Sequence, residues 1–246
     1  MQFTTIVRNH ANTLLRACRR LLLALTVFSF VPTAAHAGDF LQALRATYGS
    51  NAALRGEQLE LLLNQLRFAP VSEQLHQVNR FFNAFRFRAD HKQWGHEDYW
   101  ASPLEFIGRF AGDCEDYAIG KYFALRWLSL ASDTMQLSYV RDVNRARFHV
   151  VLQVVVKDGA EALILDNVNP YVLPVSQRRD LMKVVGFSEN HVSVTAPKGG
   201  AEQTFAHSGR WTMRQWDRVT ARTKTEPKPS LTSLLAYARS DTSSGM

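Results

Sequence analysis

The chain has 246 residues but only two cysteines, Cys18 and Cys114. So few cannot staple a small disulfide scaffold. No apolar run approaches the roughly 20 residues that a membrane-spanning helix needs; Leu21 to Val31 is about half that length. There is no glycine-rich phosphate loop and no internal repeat. His91 and His96 have no third ligand at a diagnostic zinc spacing, so both read as loop residues.

What is present starts with a leader. Arg8, Arg16, Arg19 and Arg20 form a basic, acid-free stretch ahead of the short apolar run, and Ala35-His36-Ala37 places small residues where a signal peptidase reads. This predicts a secretory signal peptide over residues 1–37, cleaved after Ala37, and a soluble mature protein outside the cytoplasm. Losing the four leader arginines takes the formal charge from +7 to +3, too mild to argue for nucleic acid. The remaining ~209 residues can form one domain with a sizeable core, expected over residues 38–222, with a Ser/Thr/Pro-rich tail over 223–246 that is partly disordered. Cleavage also removes Cys18. A single cysteine in an oxidising compartment is an inert buried thiol, half of an intermolecular disulfide, or a nucleophile.

Periodicity predicts helices over 39–48, 57–68 and from Ser72, the last with Leu75, Val78, Phe81, Phe82 and Phe85 at helical spacing. Ser102 and Glu105 form a capping box with Pro103 at the first helical position. Gly112-Asp113-Cys114-Glu115-Asp116 then opens a helix running to about Leu130, with Asp113 and Asp116 able to cap it. Cys114 falls in the first turn, where unpaired N–H groups and the positive dipole end favour a thiolate. The flanking carboxylates oppose this and raise the thiol pKa unless a cation neutralises them. Beyond Asp133 the pattern alternates, predicting strands over 135–139, 148–156 and 162–166, and a return to the sheet over 182–195. A final helix is expected over 211–222.

A turn centred on Asp158-Gly159 pairs Val151 with Asp166 and puts Asp166 on the face of His149, diagonal to it. Cysteine at a helix start, histidine on a strand and aspartate on the next strand have the makings of a nucleophilic triad. Cys114 would attack a carbonyl carbon, His149 would shuttle the proton, and Asp166 would orient the imidazole. The Cys114 backbone N–H is one expected oxyanion donor, with Trp94 or Trp100 as candidates for the second.

Asp113-Cys114-Glu115-Asp116-Tyr117-Ala118, Phe148-His149-Val150, Leu165-Asp166-Asn167 and the segment from Trp100 to Phe106 resemble the bacterial transglutaminase-like cysteine proteinases over roughly residues 40–194. The resemblance implies an α+β papain/transglutaminase-like core, with N-terminal helices and the nucleophile helix packed on an antiparallel sheet. It implies a periplasmic cysteine endopeptidase that cuts the N-terminal region of a large surface adhesin at a paired-alanine site, releasing it and dispersing biofilm. It also implies control by the periplasmic domain of an inner-membrane c-di-GMP receptor that sequesters the protease. Finally, it implies a calcium ion held by carboxylates that map to Asp113, Glu115 and Asp116. The same triad would serve an acyl-transfer transglutaminase, and a non-catalytic periplasmic binding module with a structural cysteine is the alternative from another class.

Overall fold

The computed structural model describes residues 39–196, 200–207 and 213–231. The leader expected over 1–37 and the end of the tail lie outside these residues. Helix α1 (Asp39–Tyr48) buries Phe40 and Leu44. Gly49, at φ +86°, turns the chain into α2 (Ser50–Leu66), which begins seven residues earlier than apolar spacing suggested. The extra turns are small residues: Ala52, Ala53 and Gly56 let α1 approach closely, a contact that hydrophobic periodicity cannot register. Helix α3 (Val71–Asn83) starts after Pro70 and buries Leu75, Val78 and Phe82. The segment read as a loop contains a two-residue strand, β1 (Arg86–Phe87), and one helical turn, α4 (Asp90–Gln93). Helix α5 (Pro103–Arg109) carries the expected capping box, and β2 (Ala111–Gly112) pairs in parallel with β1.

Helix α6 (Cys114–Trp127) is the centre of the core, with every residue from Glu115 to Leu125 buried. It packs on α3 and α5 on one side and on β3 (Met135–Asp142) and β4 (Arg147–Val154) on the other. Phe82, Phe85, Phe106 and Tyr117 interlock beneath it, with centroids 4.8 Å apart for Phe85–Phe106 and 5.0 Å for Phe106–Tyr117. A helix buried on all sides shows little amphipathic signal.

The sheet continues with β5 (Leu163–Leu165), β6 (Leu173–Pro174), β7 (Leu181–Phe187), β8 (His191–Thr195) and β9 (Glu202–Ala206). Its seven strands run in the order β6-β5-β4-β3-β7-β8-β9, all antiparallel. The expected return over 182–195 is two strands. The edge strand β9 was not foreseen, because its mostly exposed residues carry no apolar alternation. Strands β4 and β5 pair Leu152 with Leu165, the register predicted from Asp158-Gly159. The ladder nevertheless stops short of that turn. Only a local bond from Ala160 N–H to Lys157 O, 2.9 Å long, closes it, and positive φ falls on Gly159, as in a type II turn.

Helix α7 (Arg214–Thr225) buries Trp216 and Val219. The described contacts continue past residue 222, the expected domain end. Ser102 Oγ donates to Glu226 Oε1 (2.8 Å), and Ser230 N–H donates to Glu60 Oε1 on α2 (2.7 Å), so the chain stays docked through Leu231. Composition suggested a loose tail, but its described part is held by the Ser102–Glu226 bond and by the Ser230 backbone against α2.

Candidate active site

The first turn of α6 presents Cys114, which is partly exposed and the only free cysteine among the described residues. Two contacts hold this turn. Asp116, fully buried, accepts the Ala101 N–H through Oδ1 (2.8 Å) and the Asp113 N–H through Oδ2 (3.3 Å). Gly112 passes so close to that carboxylate that any Cβ there would collide with it. The helix start is therefore locked by tertiary contacts as well as by capping.

The Val150 N–H of β4 points to the Cys114 sulfur and favours its thiolate. Residue 150 follows His149, so the nucleophile helix meets the sheet at the expected histidine. His149 Nε2 lies 2.7 Å from Asp166 Oδ1, and both residues are buried. This places Asp166 just past β5, on the face and at the diagonal that the register predicted. The bond to Nε2 leaves Nδ1 as the ring nitrogen able to exchange a proton with a thiol. Asp166 Oδ1 also accepts the Val168 N–H (2.9 Å), and Oδ2 accepts from buried Arg178 (2.8 Å), which binds Asp180 as well. Burial opposes ionisation of Asp166, but its bond to His149, the imidazole charge, Val168 and Arg178 outweigh this and hold its pKa well below the usual carboxylate range. Arg178 was not anticipated, because its side chain enters the site from a turn with no periodic pattern.

The acids beside Cys114 behave oppositely. One oxygen from each of Asp90, Asp113 and Glu115 falls within a sphere of mutual approach under 4.8 Å. Asp116 does not join this group, since both its oxygens hold backbone N–H groups; Asp90 stands where sequence reasoning had put it. The β1–β2 pairing brings Asp90 there, a contact between segments with no shared local pattern. Asp90 Oδ2 accepts the Tyr99 N–H (2.6 Å), while Asp90 Oδ1 and Asp113 Oδ1 are buried without a hydrogen-bond donor. Burial, aided by neighbouring carboxylates, raises Asp90 to about 7 and Asp113 to about 8. Burial, then Glu115 and Asp113, pushes the Cys114 thiol well up. Glu115 accepts from the thiol at 3.1 Å. Three convergent carboxylates, two of them with a buried oxygen that lacks a donor, suit a hard, oxygen-seeking cation such as calcium.

Of the two tryptophans considered for the oxyanion hole, Trp100 is committed to Asp98 (2.9 Å), whereas the buried Trp94 indole N–H has no acceptor among the described residues. Tyr139 and Phe148 stack at 5.0 Å on the exposed side of β3 and β4, and the Cys114 and Glu115 charges act on the Tyr139 phenol. Both aromatics therefore border the site. Neither His91 nor His96 belongs to the acidic cluster found among the described residues.

A cysteine at the head of a buried helix, facing a strand with a histidine–aspartate pair, is the arrangement of a papain/transglutaminase-like cysteine proteinase core. The family model for bacterial transglutaminase-like cysteine proteinases matches residues 61–185, and the chain belongs to that family. Within it the chain is of the LapG type. It is 32% identical to calcium-bound LapG of Legionella pneumophila (TM-score 0.62), the match covering 74% of this chain and 97% of that one. It is 31% identical to the EGTA-treated form (TM-score 0.64), covering 74% and 95%. A search among curated proteins returns no match.

Proposed function

We propose that this protein is a calcium-dependent periplasmic cysteine endopeptidase whose nucleophile, base and orienting acid are Cys114, His149 and Asp166. The observation that carries the reading is the 2.7 Å His149–Asp166 bond on the strand that meets the Cys114 helix. In this reaction His149 Nδ1 takes the thiol proton and Cys114 Sγ attacks the scissile carbonyl carbon. The resulting oxyanion is met by the Cys114 backbone N–H, one of the unpaired donors of the first helical turn. His149 then protonates the leaving amine as the C–N bond breaks and a Cys114 thioester remains; an entering water, deprotonated by His149, attacks that carbonyl carbon, and the C–S bond breaks to release the carboxylic acid and regenerate the Cys114 thiol. Asp166, itself clamped by Arg178, keeps the imidazole in the required tautomer and balances its charge.

Asp90, Asp113 and Glu115 would hold the calcium ion. Its charge would relieve the repulsion that keeps the Cys114 thiol protonated. The orphaned oxygens of Asp90 and Asp113 and the calcium-bound relative support this.

The substrate in this proposal is the N-terminal region of a large surface adhesin, cut at a paired-alanine site to release it and disperse biofilm. A c-di-GMP receptor in the inner membrane sequesters the enzyme through its periplasmic domain. These parts rest on the resemblance of the Cys114, His149 and Asp166 segments to the family. The periplasmic assignment rests on the leader over residues 1–37; no helix among the described residues is long and apolar enough to cross a membrane.

The test is incubation of the mature protein with an adhesin N-terminal fragment carrying an Ala-Ala site, in calcium or in chelator, beside Cys114→Ala. Cleavage that requires both calcium and Cys114 is expected. Unimpaired cleavage by Cys114→Ala would sink the mechanism, and cleavage that survives chelation would remove calcium from it. A labelled amine in the same reaction reads any acyl transfer to amines in place of water.

A further inference from the structure

The sheet face that carries α6 continues past the head of that helix, and there it stays apolar. Alternation along β4 puts Phe148, Val150 and Leu152 on one side. Val150 and Leu152 are buried in the main core, on which α6 packs, so Phe148 stands on the helix-bearing face. Tyr139 pairs with Val150 and shares that side, while Arg141 pairs with Phe148 on β4 and with Met182 on β7. Two rows of side chains therefore cross the strands. The row of Tyr139 and Val150 lies where the head of α6 meets the sheet. The row of Phe148, Arg141 and Met182 lies one step beyond it, ~7 Å further along β4.

Exposure rises along the same line. Val150 is 3% exposed and Tyr139 37%, whereas Phe148 is 54% exposed and Met182 40%. The Tyr139 and Phe148 rings stack with 5.0 Å between centroids and 16° between planes. They present one continuous apolar shelf to solvent. Uncovered sheet positions are ordinarily polar, and contiguous exposed apolar surface marks a place where something binds.

The neighbouring cysteine fixes what the occupant is. Cleavage requires a scissile carbonyl at Cys114 Sγ. An extended chain advances about 3.3–3.6 Å per residue, so side chains two or three positions from that carbonyl fall ~7–10 Å from the sulfur. The shelf spans that range on the sheet side of Cys114. A peptide laid over this face crosses Tyr139 and Phe148 as it reaches the nucleophile, and the contact they offer is apolar.

We propose that Tyr139 and Phe148, extended by Met182, are specificity-determining residues that hold an apolar substrate side chain two or three positions from the scissile bond. The inference rests on the proteinase reading given above and adds a selection beyond the alanine pair. The shelf binds substrate and takes no part in proton transfer.

The experiment uses adhesin fragments cut at an Ala-Ala site. One pair carries leucine or glycine at the second and third positions before the scissile bond, and a second pair is changed likewise after it. It measures kcat/KM in calcium for wild type, Phe148→Ala, Phe148→Tyr and Cys114→Ala, with thermal midpoint and Cys114 alkylation by iodoacetamide alongside. Wild type is expected to prefer leucine in one of the two pairs by about 10-fold or more. Phe148→Ala should lose that preference to within about twofold, with midpoint and alkylation rate near wild type, and Phe148→Tyr should keep it. A wild-type protein without preference in either pair overturns the proposal. So does an unchanged preference in Phe148→Ala, which would leave the shelf to another partner, and so does loss of fold in that variant, which would make the ring structural. Failure of the proteinase reading looks different: Cys114→Ala would then cut all four fragments as wild type does.

Discussion

Two corners of one site handle charge in opposite ways. On the sheet side, Asp166 is surrounded by His149, the Val168 N–H and Arg178, and its carboxyl is held ionised. On the helix side, Asp90, Asp113 and Glu115 converge with two oxygens lacking donors, and their carboxyls and the Cys114 thiol are pushed toward protonation. Both corners are buried, so dielectric does not separate them; the supply of cations and N–H donors does. The sheet corner is complete with protein groups alone. The helix corner has two carboxylate oxygens without a donor, and under the proposed function a cation from outside would supply the missing charge.

The largest effect expected from this contrast is catalytic. Asp166→Asn preserves shape but removes the charge that orients His149, and kcat should fall on the order of 10,000-fold with calcium binding intact. Steady-state cleavage together with calcium titration checks this, and a parallel loss of calcium affinity would mean the corners are one unit. Next is Arg178→Met, which leaves a buried carboxylate short of a partner and should destabilise the fold by about 3–5 kcal/mol, read from urea unfolding. A neutral result would show that His149 and Val168 suffice to hold Asp166. Asp90→Asn should weaken calcium binding on the order of tenfold or more, whereas Asp116→Asn should leave the affinity near wild type while lowering stability. Isothermal titration of both variants decides between Asp90 and Asp116 as the third ligand.

The smallest effect is a pH slope. Asp90 and Asp113 have folded-state pKa values of about 7 and about 8, above the ordinary 3.8. Without calcium the folded state therefore binds more protons than the unfolded state between about pH 4 and pH 8, and stability declines as pH rises through that window. Calcium holds the carboxylates ionised and should flatten the decline. Urea midpoints near pH 5 and pH 8, in EGTA and in calcium, measure it. A flat profile in EGTA would break the contrast between the corners.

Much of the site was legible because it is local. The Ser102/Glu105 box, the turn into Cys114 and the β4–β5 register are written in a few adjacent residues each, and from them the placement of Asp166 beside His149 follows by counting. Asp113 and Glu115 were found as neighbours of Cys114. Asp116, expected among the ligands, stands apart from the Asp90–Asp113–Glu115 cluster: a carboxylate three residues into a helix can cap or ligate, and here its oxygens accept the Ala101 and Asp113 N–H groups. The edge strand β9 and the docked segment after α7 lacked apolar alternation, the signal that reading depends on.

The sequence by itself determined most of the helices, the β4–β5 register and the placement of Asp166 beside His149, since 3.6- and 2-residue periods, caps and turn residues act over short spans. Tertiary structure alone decided that Asp90 would meet Asp113 through the β1–β2 pair and that Arg178 would close on Asp166. Charges and amides respond to whatever folding brings within a few ångströms, and that distance is independent of separation along the chain.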